Sequence, residues 1–185
     1  VPFEFLRDEI ILNVAGERGR RHRWLWLTKR PDRMAQFSGW LAGEGIAWPE
    51  NLWAGTSITS QATTSRIRHL VRVGDERTVR FLSVEPQVEA IDLSRWLPRI
   101  GWVIQGGESG RSARAFDLAW AESMIEECGR LGVPYFLKQL GSHVVEDGRR
   151  LTFADSHAGD WSEWPERLRL RQLPVAPGPV RASSC

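Results

Sequence analysis

Polar and ionisable residues follow five short apolar runs of the sequence, at the point where each run ends. These polar segments are residues 28–32, 56–59, 83–86, 105–110 and 138–139. Both lysines of the chain, Lys29 and Lys138, lie in these segments, whereas a solvated surface would scatter them. In parallel α/β folds, ligands bind beyond the carboxyl ends of the strands. The spacing therefore predicts a binding or catalytic site at one edge of a sheet.

The candidate catalytic groups are ionisable residues of these segments. They are Lys29, Glu85, Glu108 and Lys138. A functional Glu85 would act as a base or would bind an amine or a hydroxyl. Structural alternatives stay open: Glu85 could belong to a turn with Pro86. Lys29 could pair with Asp32 at a helix start, and Glu108 could cap its own loop.

The segment 106–111, with the sequence GGESGR, is the sharpest local motif. Its two leading glycines permit a tight turn and the close approach of a ligand. Its backbone N–H groups, with Arg111 and Arg114, would hold a phosphate or a carboxylate. The segment has neither the Walker spacing nor the dinucleotide fingerprint. A tight turn with two surface arginines is the alternative interpretation.

The composition limits the classes of function. The net charge of +2 on 185 residues does not by itself indicate a nucleic-acid-binding protein. The two cysteines, Cys128 and Cys185, exclude a disulfide framework and an iron–sulfur cluster held by three or four cysteines of this chain. The four histidines share no metal-ligand spacing, so we predict no metal site. No apolar run reaches membrane-spanning length and no signal peptide is evident, so we expect a cytoplasmic protein.

The elements that must position these residues are strands and helices in alternation. We predict strands at 24–28, 52–58, 79–84, 102–105 and 134–137. Helices are predicted at 3–15, 31–41, 60–71, 91–97 and 117–131. The strands are almost continuously apolar, which is typical of parallel strands buried on both faces. The pattern predicts an α/β fold built from parallel βα units.

The chain after residue 140 has a different pattern. Apolar segments at 143–146 and 149–153 flank Asp147-Gly148, which predicts a β-hairpin. The last residues, 174–185, form a low-complexity segment that we predict to be a disordered tail. The predicted organisation is residues 1–141, then a hairpin and extension over 142–173, then the tail.

Five motifs in register resemble the phage gene-product thirty-seven/sixty-eight family, whose members occur in phages and bacterial genomes. They are LTKRPDRM at 27–34, LWAGTSI at 52–58, RFLSVEP at 80–86, WVIQGGESG at 102–110 and VPYFLKQLG at 133–141. That family in turn resembles radical S-adenosylmethionine enzymes. The resemblance implies that full-length members of the family carry, on a (β/α) barrel, an N-terminal cysteine triplet of the kind that holds a [4Fe–4S] cluster.

The resemblance implies that residues 1–141 supply the last five strands of a TIM-like (β/α) barrel. A full barrel has about 250 residues, and the cysteine triplet is absent from this chain. We therefore expect a C-terminal portion that is inactive alone. S-adenosylmethionine and the [4Fe–4S] cluster are implied for full-length relatives, and no cofactor is expected within this chain itself.

The resemblance also implies roles for residues at the strand ends. The candidate cofactor-binding residues are Thr28, Ser57, Ser83, Gly106, Gly107, Ser109 and Arg111. Ser57 would contact a ribose, and Ser83 and Glu85 would lie near the adenosine. Lys29, Glu108 and Lys138 would face a substrate or cofactor carboxylate. The loop 106–111 would follow the seventh strand, where barrels often bind phosphate.

Two other hypotheses come from different classes of function. In the first, the chain is a non-redox module that binds a phosphorylated ligand or nucleic acid through its arginine-lined glycine-rich loop. In the second, it is an inert partial barrel whose exposed strand edges cause self-association. The expected partners are a missing N-terminal half, a second copy of the chain or a small molecule, and no membrane.

Overall fold

A computed structural model describes residues 1–175 of the chain, and its central element is a five-stranded parallel sheet. In order across the sheet the strands are β1 (Trp24–Thr28), β2 (Leu52–Ser57), β3 (Arg80–Val84), β4 (Trp102–Gly106) and β6 (Tyr135–Gln139). All four pairings are parallel. The predicted α/β class with parallel strands is confirmed, and the five carboxyl ends meet at one edge.

The helices differ in part from those predicted. The α-helices are α1 (Phe3–Leu6), α2 (Leu12–Ala15), α3 (Pro31–Gly43), α4 (Ile67–Leu70) and α5 (Leu118–Leu131). A π-helical stretch, Arg7–Ile11, joins the first two, and a 3₁₀ segment, Gln61–Arg66, precedes the fourth. No helix in residues 1–175 combines the length and apolarity needed to cross a bilayer.

Local side-chain hydrogen bonds explain one correct and one wrong helix prediction. Asp117 caps α5 by accepting the Ala119 N–H at 3.0 Å, and the helix ends at Gly132 with φ of 67°. The predicted helix at 91–97 is wrong. Asp92 accepts the Ser94 N–H at 2.9 Å there, which favours a turn, and the segment 97–99 forms a short 3₁₀ helix.

Both faces of the sheet are apolar. One face packs against the helices and belongs to the main core, to which Ala54, Leu82 and Val103 contribute. The other face carries a separate aromatic cluster of Trp53, Phe81 and Trp102, with Phe136 packed against it. We call this second face the aromatic face. Two apolar faces explain the continuously apolar sequence of the strands.

The sheet is open at β1. This strand pairs with β2, and no other strand of residues 1–175 lies against its free edge. Leu25 and Leu27 on β1 are 53% and 46% exposed. The register places them opposite Trp53 and Gly55, so they extend the aromatic face. Because β1 and β6 do not pair, residues 1–175 do not form the closed TIM-like barrel of which the sequence was predicted to be a part.

The opposite edge, at β6, is covered by the segment that follows the hairpin. The Gln172 N–H donates to the Tyr135 carbonyl at 2.8 Å, and the indole N–H of Trp102 donates to the Gln172 carbonyl at 3.0 Å. The Arg171 guanidinium lies 5.1–5.4 Å from the centroids of three aromatic rings. These rings belong to Phe136, Trp161 and Trp164.

A second sheet contains the predicted hairpin. Its strands are β5 (Phe116–Asp117), β7 (Val144–Glu146) and β8 (Arg149–Leu151). Asp147 and Gly148 both have positive φ, 50° and 75°, as a two-residue turn of this type requires, so the hairpin is confirmed. The parallel pairing of β5 with β7 was not predicted. Beyond Val175 the predicted tail lies outside the described residues, and the proposed division of the chain stays a prediction.

Gly55 provides a test of the aromatic face. A Cβ at this position would overlap the Phe81 ring, whereas a Cβ at Gly129, in α5, would meet nothing within 4 Å. We expect Gly55→Ala to lower the free energy of unfolding by about 1–3 kcal/mol through overpacking. The matched Gly129→Ala should raise it by about 0.5–1 kcal/mol through helix propensity. Urea unfolding measures both, and a destabilisation of similar size in the two variants would contradict the packing described.

Candidate functional site

The register of the strands places two serines side by side above the aromatic cluster. Ser57 on β2 lies opposite Ser83 on β3, and Ser83 lies opposite Ile104 on β4. Both serines are 5% exposed. Their carbonyls are used by the fold, since they accept from Arg66 Nη1 at 2.8 Å and from the Ile58 N–H at 2.9 Å. Their hydroxyls have no hydrogen-bond partner within residues 1–175 and are available to a ligand.

Glu85 and Lys138 form an ion pair at the carboxyl edge. The Lys138 Nζ lies 2.9 Å from Glu85 Oε1 and 3.1 Å from Oε2. The Glu85 side chain is 20% exposed and that of Lys138 is 56% exposed. The two residues are 53 positions apart in sequence, and the parallel order of β3, β4 and β6 brings them together. Two of the four candidate catalytic residues therefore lie in direct contact.

Gln139 completes this edge, although it was not among the candidate site residues. Its Nε2 donates to the Gly107 carbonyl at 2.6 Å and to Glu85 Oε1 at 3.4 Å. These two acceptors fix the orientation of the amide, because a flipped amide would place its oxygen against both of them. Gln139 Oε1 is buried and has no partner within residues 1–175. Its position directly after Lys138, in a predicted edge segment, was the sequence signal for it.

The two glycines at the start of the loop 106–111 lie in tight surroundings. A Cβ on Gly106 would lie 3.3 Å from Glu85 Oε1 and 3.4 Å from Gln139 Nε2. A Cβ on Gly107 would overlap the Leu140 carbonyl. Packing against neighbouring groups therefore accounts for both glycines, and their role in binding a cofactor stays a prediction.

Glu108 caps its own loop, as the structural alternative predicted, because Arg114 of the same loop binds its carboxylate. Arg114 Nε and Nη2 donate to the two carboxylate oxygens at 2.8 and 2.9 Å, and the Arg114 backbone N–H donates at 2.9 Å. The side-chain hydrogen bonds from Arg114 lower the pKa of Glu108 from 4.5 to about 2. Because Arg114 is engaged in this way, the expected convergence of Arg111 and Arg114 on one anion is not observed.

The remaining candidate residues form no hydrogen bond or ion pair with Glu85 or Lys138 within residues 1–175. Thr28 Oγ1 accepts the Arg30 N–H at 3.0 Å, and the Thr28 carbonyl accepts from Thr56 Oγ1 at 2.8 Å. Lys29 is exposed after the edge strand and forms no ion pair with Asp32. Ser109 and Arg111 are exposed in the loop after β4, and Arg111 lines a cavity there.

Comparison with known families identifies this chain. A family model described as "Protein of unknown function (DUF5131)" matches residues 1–167. The chain belongs to the DUF5131 family. The family description names no substrate or reaction, and it carries neither the phage name nor the radical-enzyme name that the five motifs suggested. Neither the curated proteins nor the solved structures give a match.

The described residues of this DUF5131 protein do not fit an iron–sulfur cluster. Cys128 is fully buried in the main core, and burial raises the pKa of its thiol to about 12, so it stays protonated at neutral pH. Within residues 1–175 no three histidine, cysteine or acidic side chains come close enough together to hold a metal ion. The donor groups at the carboxyl edge are hydroxyls, an ammonium and a carboxylate, which suit a polar organic ligand.

The Glu108–Arg114 pair gives a testable pH dependence. The pKa of Glu108 is about 2 in the folded DUF5131 protein, below its ordinary value of 4.5. Its stabilising contribution is therefore complete above pH 4.5 and is lost as the pH falls through about 2. Arg114→Gln should raise this pKa most of the way towards 4.5, with the backbone N–H of residue 114 retaining part of the shift.

Carboxyl-detected NMR titration measures the Glu108 pKa directly. Arg149→Gln is the matched control, since Arg149 is exposed and forms no ion pair within the described part of the chain. A Glu108 pKa that stays near 2 in Arg114→Gln would show that Arg114 is not the cause.

Proposed function

We propose that this protein binds S-adenosylmethionine at the carboxyl edge of its parallel sheet, as the C-terminal part of a radical S-adenosylmethionine-like barrel. The observation that carries the proposal is the pair of unpartnered hydroxyls on Ser57 and Ser83, which lie on neighbouring strands; Glu85, two residues after Ser83, is paired with Lys138. The five motifs that resemble the phage gene-product thirty-seven/sixty-eight family support it. A cytoplasmic location, in a bacterium or a phage-infected host, is part of the same proposal.

Glu85 and Lys138 suit the two charges of an amino-acid moiety. The Lys138 ammonium would bind the ligand's carboxylate, and the Glu85 carboxylate would bind its amino group. Lys138 is more than half exposed, and an ion pair of this kind contributes only about 0–1 kcal/mol to stability. A zwitterionic ligand can therefore replace the internal pair by two external pairs at small cost.

The serines and the glutamine suit the remainder of the ligand. The Ser57 and Ser83 hydroxyls can each donate and accept, which matches the hydroxyls of a ribose. The aromatic face next to them excludes water from one side of the site. Gln139 Nε2 also donates to Glu85 Oε1 at 3.4 Å and so helps to fix the position of the carboxylate.

S-adenosylmethionine bound to a reduced cluster would supply a deoxyadenosyl radical that abstracts hydrogen. Residues 1–175 lack the ligands for such a cluster, so we assign no radical step to them. On this proposal, cysteines from outside the described residues hold the cluster. The role of the present residues is to bind and orient the cofactor.

The free edge of β1 is where the remaining strands would join on this proposal. Leu25 and Leu27 are half exposed, and the outer backbone groups of β1 have no strand partner within residues 1–175. Such an edge accepts a further strand by main-chain hydrogen bonding. We propose that the partner is the N-terminal half of the barrel, and that a second copy of this chain takes its place when that half is absent.

Binding of S-adenosylmethionine by the full chain tests the proposed site. Lys138→Gln and Glu85→Gln should each weaken binding by about tenfold or more, because each removes one charge-assisted contact. Ser57→Ala should weaken binding less, by about threefold, because it removes a neutral hydrogen bond. Isothermal titration calorimetry under anaerobic conditions measures the affinities.

Glu50→Gln is the matched control for Glu85→Gln. Glu50 also pairs with a basic side chain, Arg77, at 2.8 Å, but it lies just before β2, at the amino end of the strands. We expect unchanged affinity in this control. An affinity that Glu85→Gln leaves unchanged would reject the proposed site.

The β1 edge makes a separate prediction about association. We expect the isolated chain to self-associate as its concentration rises, and the double variant L25K/L27K to remain monomeric, because the added charges oppose strand pairing. Leu12→Lys is the control, since Leu12 is 55% exposed and lies on α2, outside the strand β1. Light scattering after size-exclusion chromatography gives the mass. A wild-type monomer at all concentrations, with cooperative thermal unfolding, would contradict the prediction.

A further inference from the structure

We propose that the protein has a second ligand site, for a phosphate monoester, in a cavity between the loop after β4 and the β7–β8 hairpin. The cavity has a volume of about 380 Å³, within the range of small-molecule sites. Its polar lining comes from Arg111, Ser142, His143, Arg150, Ser156 and His157. The site is independent of the ion pair at the carboxyl edge.

Backbone contacts between the two loops fix the wall of this cavity. The Ser142 N–H donates to the Glu108 carbonyl at 2.8 Å, and a Cβ on Gly141 would lie only 2.6 Å from the same oxygen. The Ser142 hydroxyl accepts the Gly110 N–H at 3.1 Å and donates to the Ser156 carbonyl at 2.7 Å. One serine therefore ties three segments together, and the cavity is formed before any ligand binds.

Two guanidinium groups in the lining have no acidic partner. Arg111 and Arg150 form no ion pair within residues 1–175, and the hydrogen bond of Arg150 there goes to the Ser142 carbonyl at 3.3 Å. Planar guanidinium groups bind phosphate oxygens in a bidentate manner. Two of them facing one cavity without a counter-charge indicate an anionic ligand.

Two acidic side chains from segments beside the cavity, Glu108 and Asp155, are already engaged. Glu108 is bound by Arg114. Asp155 lines an adjoining cavity with Arg150, but its carboxylate accepts the backbone N–H groups of His157 at 3.0 Å and Gly159 at 2.7 Å. These contacts lower the pKa of Asp155, so it remains a satisfied anion rather than a partner for the arginines.

The two histidines each leave one ring nitrogen for the ligand. His143 Nδ1 lies 3.3 Å from the Ala113 carbonyl, and His157 Nδ1 lies 3.4 Å from Ser142 Oγ. The carbonyl can only accept, and the serine has already donated its proton, so Nδ1 is the donor in both contacts. Nε2 can then accept the proton of a monoanionic phosphate.

A terminal phosphate fits these observations better than the backbone of a nucleic acid. The basic groups surround one concave site, which suits a dianion with three free oxygens. A nucleic-acid backbone requires cations along a track, and the net charge of the chain is only +2. We therefore assign the site to the phosphate of a small-molecule monoester.

Calorimetric titration of the full chain with inorganic phosphate and with phenyl phosphate tests the assignment. Both should bind, and dimethyl phosphate, a monoanionic diester, should bind more weakly. Arg150→Ala and Arg111→Ala should each weaken phosphate binding by about tenfold or more. Arg150→Lys should lose part of the affinity, because it keeps the charge without the planar fork.

Arg149→Ala is the matched control, because neighbouring residues of a strand point to opposite faces and Arg149 does not line the cavity. It should change the affinity by less than about twofold. Circular dichroism confirms that each variant is folded. The proposal fails if wild-type protein binds neither phosphate nor phenyl phosphate, or if Arg149→Ala costs as much as Arg150→Ala. It also fails if a single-stranded oligonucleotide binds more tightly than phenyl phosphate and loses affinity in the same variants.

Discussion

Backbone hydrogen bonding between five parallel strands in chain order is the constraint on which the rest of this structure depends. The ladder runs from β1 to β6 with one shift in register, between Gln105 and Gly106 at the carboxyl end of β4. Because the pairing is parallel, every loop that follows a strand reaches the same edge. Residues as far apart in sequence as Glu85 and Lys138 therefore contact each other without any direct local cause.

The parallel pairing also limits the space available to the loops at that edge. The loop after β4 and the chain after β6 lie so close together that Gly107 and Gly141 have no room for side chains. Close packing of these two segments shapes both proposed sites. On one side it places Gln139 beside Glu85, and on the other it forms the wall of the basic cavity around Ser142.

The sequence predicts those parts of the fold that have a local physical cause. Two-sided burial gave the five strands their apolar runs, and Asp147-Gly148 marked the hairpin because both positions need positive φ. The pairing of β5 with β7 was not predictable, because a two-residue strand has no periodicity. The state of closure of the sheet was also not predictable from local patterns, since it depends on what lies beside β1.

The residues of the candidate site were likewise predictable from the sequence only in part. Position after a strand identified Glu85 and Lys138, since the edge of a parallel sheet is set by topology. Position did not identify the contact of Glu85 with Gln139, and it paired Arg111 with Arg114, three residues later, rather than with Arg150. Arg150 comes from a hairpin that follows the sheet, and nothing in the sequence relates it to the loop after β4.

Arg171 and Gln172 cover the β6 edge of the central sheet, so the two edges of this sheet differ. Backbone hydrogen bonds and the contacts of Arg171 with three aromatic rings cover this edge, so that within residues 1–175 the uncovered edge of the central sheet is β1. Two copies that meet through β1 are related by a twofold axis, and each then presents a sealed edge to the outside. On the proposed association through β1, the central sheet would therefore grow to a pair and not to a fibre.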